Sequence, residues 1–388
     1  PAIYGLAGYE GCLVDDVSFK KIPLDNLSSG NNREGNLFYG TIAAWMLADL
    51  KPYFSGENLA SSVKHQPLRD IEVEYSENLF YTDVNGAFSL PLSEGRGTFS
   101  YSYESPYFKL IFADDGFSHR PCVLGEFEWG SICSLLFDVF VYYDDEPPMN
   151  YTFDFLFRNK IEDVSAATAY YHALETQHWL QEGDESWTPL SIEAFVNEDI
   201  SCNAIYIPLE DDLAFGKEGP RQGFPNTVCP NTAYSTVITH EYGHSFVDSY
   251  LGWPGPEGFV DFRGYHEGIA DTVSAFSLGT SCIALDFLGR GSGCLRDIQI
   301  NYIYPGKGDA HERGQVLSSA FWDLRTLLIA RQGSEGAEVA QRFLTELVKR
   351  NRIGFVPEIR DILHEIDADL YNGEHSQSIN LAFSAHGL

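Results

Sequence analysis

The sequence lacks most of the short signatures that announce a chemistry. None of its seven cysteines forms a CxxC pair, which argues against a cysteine-built zinc site. There is no GxSxG, so a serine nucleophile on a strand-to-helix elbow is not indicated. There is no GxGxxG and no P-loop, so nothing is set up to cradle nucleotide phosphates. No apolar run reaches the roughly 18 residues a membrane-spanning helix needs, and neither an internal repeat nor a low-complexity tract occurs. Methionine is nearly absent: Met46 and Met149 are the two. Basic residues are scarce as well, 25 Lys and Arg against 56 Asp and Glu, for a formal net charge of −31. Such a surface repels nucleic acid and anionic membranes, which excludes both as partners. It attracts cations, so Ca2+ is an expected secondary ligand, and it suits a protein kept soluble in salt.

What is present is ample core material. The 388 residues suffice for two or three domains, and 27 Phe, 22 Tyr and six Trp speak against wholesale disorder. The spacings Cys202 to Cys229 and Cys282 to Cys294 suit disulfides in an exported protein, and a monomer in the extracellular space is expected. Cys12, Cys122 and Cys133 complete the set, and one cysteine of the seven must be left over. No signal-peptide pattern opens "PAIYGLAGYEG", so an exported form is expected to be trimmed already. Asn26-Leu27-Ser28 and Asn150-Tyr151-Thr152 match the glycosylation sequon.

The chain changes character along its length. Residues 1–145 read as a β-rich, β-sandwich-like region, with apolar and polar residues alternating between Asn, Gly and Ser turns. Within it, "TDVNGAFSL" reads as a plain turn entering a strand, more readily than as a calcium loop through Asp83 and Asn85. "YYDDEPPMN" reads as a linker. Residues 146–250 form a mixed part: a helix over "SAATAYYHALETQHWLQE", then strands and turns, then a helix near 232–250. Residues 251–388 are helical, with segments near 264–279, 311–332 and 336–351 and a last one in "VPEIRDILHEIDADLY". The fold class expected is α+β.

One stretch carries chemistry. In "VITHEYGHSF", His240 and His244 stand four apart, so on a helix they share a face and can grip one metal. Glu241, offset by one residue, suits a general base beside a zinc ion that acidifies water. Asn231 or Thr232 supplies an N-cap. Gly243 costs about 1 kcal/mol relative to alanine inside a helix, so a close approach must compensate; packing beneath a substrate is the expected reason. A catalytic zinc takes three protein ligands, and Glu267 in "GYHEGIADTVSAFSLG" is the best third one. Asp271, one turn later, can hold a ligand histidine by its other ring nitrogen. His266 would point about 100° away. The simpler reading of Glu267 and Asp271, a solvated acidic face, weakens with HExxH upstream. Histidines 65, 119, 172, 178, 364, 375 and 386 are isolated and carry no expected function.

Taken together, HEYGH and HEGIAD resemble the gluzincin metalloproteases of the thermolysin and fungalysin group. The resemblance implies Zn2+ held by His240, His244 and Glu267 within an E-x-x-x-D helix, with Asp271 and Asp248 as supporting acids. "CNAIYIPL" is similar to the group's substrate-binding edge strand. Asn203 and Ala204 carry that match, while Ile205 stands where an aromatic is usual. "DAHERGQVLSSAFWDL" is similar to the segment whose histidine stabilises the oxyanion, which implies that role for His311 with Asp309 orienting it. "AATAYYHALETQHWL" looks like the helix that precedes the group's catalytic half. The likeness covers about residues 160–335; the 22 residues between His244 and Glu267 favour the fungalysin-like side. Metzincins fit worse, because Val247 and Tyr250 stand where glycine and histidine belong and no methionine follows the motif. An aminopeptidase-type spacer would place Arg263 at the ligand position.

The implied fold is a thermolysin/fungalysin-like mixed β lobe and helical lobe with zinc between them, led by the β-sandwich-like region. The implied activity is that of a secreted zinc endopeptidase acting on protein or peptide substrates. The alternative is a zinc-containing, non-proteolytic binding protein on a protease scaffold.

Overall fold

A computed structural model describes residues 37–75, 78–91, 97–112, 137–139, 150–154, 160–252, 260–304, 308–350 and 356–388. Cys12, Cys122, Cys133, His119, the Asn26 sequon and most of the expected linker lie outside the described residues. The architecture is mixed α+β, with seven α-helices and several small sheets among those residues.

The N-terminal part is built of strands. They are β1 (Leu37–Leu47), β2 (Val63–Pro67), β3 (Glu72–Tyr75), β4 (Asn78–Tyr81), β5 (Ala87–Pro91), β6 (Gly97–Ser102), β7 (Phe108–Phe112), β8 (Phe137–Val139) and β9 (Asn150–Asp154). β1 pairs antiparallel with β2 and β5 and parallel with β9; a second sheet runs β4-β3-β6-β8. The "TDVNG" stretch is a turn whose Asp83 carboxylate accepts the Asn85 and Ala87 backbone N–H groups. Its charge is therefore engaged by the backbone, as an Asx turn requires.

β7 leaves these sheets. It pairs parallel with β10 (Ile192–Glu198), which pairs parallel with β12 (Asp212–Gly216); β11 (Ala204–Ile207) runs antiparallel to β12 at the sheet's edge. β12, "DLAFG", is buried at all five positions, as expected for a strand covered on both faces. The hairpin of β13 (Gly219–Arg221) and β14 (Phe224–Cys229) follows, and Cys202–Cys229 ties its end to the start of β11.

Helix α1 (Ile161–Gly183) joins these layers to the helical part. Thr168 accepts the Leu47 backbone N–H, and Phe108 meets Tyr170 edge to face. Arg342 and Thr345 of α5 (Ser334–Arg350) donate to the Gly183 carbonyl, satisfying an end that α1 would otherwise leave open. α1 also buries His172, whose imidazole is pushed down to about 3 by burial and then by the charge of Lys64. His172 is thus neutral in the fold and gains a proton on unfolding below about pH 6.5. The contribution is complete above that pH and is lost as pH falls towards 3. A His172→Gln variant, with nothing to titrate, should show a flatter decline of its urea midpoint between about pH 6.5 and 4; parallel declines would refute this assignment.

The remaining helices are α2 (Ser235–Leu251), α3 (Val260–Leu278), α4 (Ala310–Gln332), α6 (Ile359–Tyr371) and α7 (Ser376–Ala385). The hairpin of β15 (Cys282–Leu285) and β16 (Cys294–Asp297) follows α3 and is bridged by Cys282–Cys294. Both described disulfides join the cysteines whose spacing suggested it. No described helix is long and apolar enough to cross a membrane.

Candidate metal centre

Helix α2 carries HEYGH but starts later than its polar prelude suggests. Its first residue is Ser235, and Tyr234 precedes it with no side-chain cap. Asn231 and Thr232 are spent elsewhere. The Asn231 carboxamide accepts from Ala233 N–H and donates to Asn197, while Thr232 bonds Gly216 and Asn203 of the neighbouring sheet. The expected N-cap is therefore a tie between the sheet and the turn that launches α2.

Helix α3 crosses α2 at Gly243. A Cβ built there would lie 2.8 Å from the Ala270 Cα, so the glycine permits backbone contact between the two helices. The compensation comes from helix packing. Gly268 and Gly314 do the same for α3 and α4: a Cβ on Gly268 would lie 2.7 Å from the Gly314 carbonyl oxygen. These approaches draw Glu267 of α3 and His311 of α4 towards the face of α2 that carries the histidines. Gly243→Ala gains about 1 kcal/mol of helix propensity but should lose more, about 1–3 kcal/mol, by forcing α2 and α3 apart. A lower denaturation midpoint is expected, and an unchanged one would contradict the close approach.

The result is a convergent donor set. His240, His244 and Glu267 each offer a ligand atom within 4.8 Å of the others, and among the described residues no other such group of three or more forms. Glu267 Oε2 lies 3.4 Å from His240 Nε2 and 3.9 Å from His244 Nε2. Ligands of one tetrahedral zinc sit about 3.3 Å apart, so the residues fit the ion. The Glu267 Oε2 atom is buried without a hydrogen bond, a costly placement for a carboxylate that a cation would offset. His266 is buried outside this group, its ring stacked 6.0 Å from that of His244.

The electrostatics agree. Burial opposes charge on His240, but Asp271 and then Glu267 outweigh it and raise the imidazole to about 9. Two carboxylates thus hold positive charge where a metal would supply it. Burial pushes His244 down to about 3, which leaves the neutral ring that metal binding requires. Burial opposes ionisation of Glu267, yet His244 and His240 hold its carboxyl well below the usual range. Glu241 is pushed up to about 7 by burial, against the pull of His240. Its carboxylate also accepts a hydrogen bond from the Tyr206 backbone.

Behind the donors stands a buried ion pair. Asp271 Oδ1 lies 2.8 Å from His240 Nδ1. Arg296 of β16 donates to both oxygens of Asp271, at 2.7 Å each, and its Nη2 lies 3.4 and 3.5 Å from the two His240 ring nitrogens. Arg296 was not singled out in the sequence; the one available signal was a basic residue two positions after Cys294 in an acidic chain.

The other expected residues arrange around this centre. Asp248 accepts the Tyr206 hydroxyl at 2.7 Å, and that hydroxyl also reaches Asp211. The Tyr206 ring stacks on His244 at 6.4 Å, so Tyr206 ties β11 to α2 and is a second residue that the sequence did not single out for a role. Ala204 opens edge strand β11, paired with Phe215, and Asn203 is exposed just before it. His311, half exposed in the first turn of α4, places Nε2 3.4 Å from Glu267 Oε1 and Nδ1 3.5 Å from Asp309, which caps that helix. Of the isolated histidines, His375 is buried against Asp367 and His386 against Asp323, both in hydrogen bonds remote in sequence from the centre.

No model of a known protein family matches the chain, and no curated protein matches it. Among solved structures, the chain is similar in outline to one described as "Precursor of Protealysin, Metalloproteinase from Serratia proteamaculans", at 13% identity and a TM-score of 0.49, over 72% of this chain and 87% of that one.

Proposed function

We propose that the chain is a zinc-dependent endopeptidase of the gluzincin kind, with His240, His244 and Glu267 as the metal ligands. The convergence of those three side chains from two helices carries the reading. A zinc ion bound there would polarise a scissile carbonyl and acidify water. Glu241, buried beside the donors, takes the proton from the attacking water on its carboxylate and passes it to the leaving amine. His311 donates from Nε2 to the oxyanion that develops on the carbonyl oxygen. Edge strand β11 accepts an extended substrate as an added strand, with Ala204 offering its backbone and Asn203 its side chain. Asp271 orients His240, and Asp248 acts through Tyr206. Two disulfides support an extracellular site of action, and the 22-residue spacer alone supports the fungalysin-like side.

Elemental analysis together with a chelator-sensitive casein assay tests the reading. About one zinc per chain and hydrolysis abolished by a chelator are expected. Metal-free protein with full activity would overturn it.

A further inference from the structure

We propose that the Cys282–Cys294 disulfide sets the metal affinity of the centre, by holding Arg296 against Asp271. The inference rests on the metal reading above.

β16 carries Arg296 two residues beyond Cys294, and among the described residues its strand pairing is with β15 alone. The β15–β16 ladder is short, with Cys282 opposite Asp297, Ile283 opposite Arg296 and Leu285 opposite Cys294. A two-stranded hairpin of this size is marginal on its own. β15 is fastened to the start of α2: Ala284 N–H donates to Thr236, and the Tyr234 hydroxyl donates to the Leu285 carbonyl. β16 is held through its pairing to β15 and through the bridge from Cys294 to Cys282.

That short strand delivers a guanidinium to the interior. Arg296 is 8% exposed, with Nε and Nη2 on the two oxygens of fully buried Asp271. Asp271 in turn fixes the Nδ1 side of His240, whose Nε2 faces Glu267. A buried guanidinium regains solvation if its strand peels away, so the pair persists only while β16 is pinned. The bridge, joining residues 12 apart, removes the open arrangements in which β16 drifts from β15. Cross-link, arginine, aspartate and ligand histidine thus form one mechanical series. Arg296 and the bridge are positioning elements: neither touches a metal.

The test uses the full chain and reads zinc dissociation constants by competition with a chromophoric chelator. Removing the bridge by Cys282→Ser with Cys294→Ser should weaken zinc binding by about 10–100-fold, the range seen for groups that orient metal ligands. Arg296→Met should do the same, and adding it to the bridge-less variant should cause no further loss. Removing the other bridge, by Cys202→Ser with Cys229→Ser, should leave zinc affinity unchanged. If the bridge-less variant does not fold, Arg296→Lys and Arg296→Met in the bridged chain decide: lysine keeps the charge but lacks the fork and should bind zinc less tightly than wild type. Unchanged zinc affinity in the bridge-less protein, or in both Arg296 variants, overturns the proposal. So does an equal further loss when the bridge is removed from Arg296→Met. A wild-type chain that binds no zinc sinks the metal reading itself, a different failure from a wild-type chain that binds zinc regardless of the bridge.

Discussion

Glu241→Gln should bind zinc as wild type does and hydrolyse peptides about 10²–10⁴-fold more slowly, the size of a lost general acid–base. The substitution keeps shape and removes the proton acceptor. The donors at His240, His244 and Glu267 are untouched, so the ion has no reason to leave. A neutral amide is also tolerated electrostatically, because burial already favours the uncharged form of Glu241. The loss should therefore appear in kcat, with zinc content and thermal stability near those of wild type. A fully active variant would remove Glu241 from the mechanism. A wild-type chain that binds zinc but cuts neither casein nor gelatin would favour a binding protein on a protease scaffold.

That His240, His244 and Glu267 would come together was legible because side chains on helices are placed by local spacing. A spacing of four from His240 to His244 means one face, and Glu267 with Asp271 repeats that period on the next helix. The helices themselves showed through periodicity, with α4 and α5 expected near 311–332 and 336–351 and found at Ala310–Gln332 and Ser334–Arg350. Short α7 passed unread, since ten residues, three of them Ser, carry little periodic signal. Non-local partnerships were illegible. β7, "FKLIF", looks like any apolar strand, and no spacing rule says that it crosses to β10. Arg296 lies 25 residues from Asp271 on an unremarkable strand, and a buried arginine looks the same in sequence as an exposed one. Gly243 was visible as an anomaly, but its reason, the Ala270 backbone, belongs to another helix.

Asp271→Asn should be the most damaging single change to stability. The side chain is fully buried and receives two charge-assisted hydrogen bonds from Arg296 while holding His240. Neutralising it leaves a guanidinium buried without its counter-charge, and removing one partner of such a pair costs about 3–5 kcal/mol. The shape is conserved, so packing contributes little and the loss reports charge. In urea the midpoint should fall with an unchanged slope, because no additional surface is exposed. Removing both charges, Asp271→Asn with Arg296→Met, should recover much of that loss, since an apolar side chain of similar length needs no partner. Zinc affinity should not recover in the double variant, because His240 still lacks the carboxylate that orients it. Stability and metal affinity would then part company at one residue pair. If instead the double variant is as unstable as Asp271→Asn alone, the cost lies in the aspartate's contact with His240, and the arginine's burial needs no counter-charge.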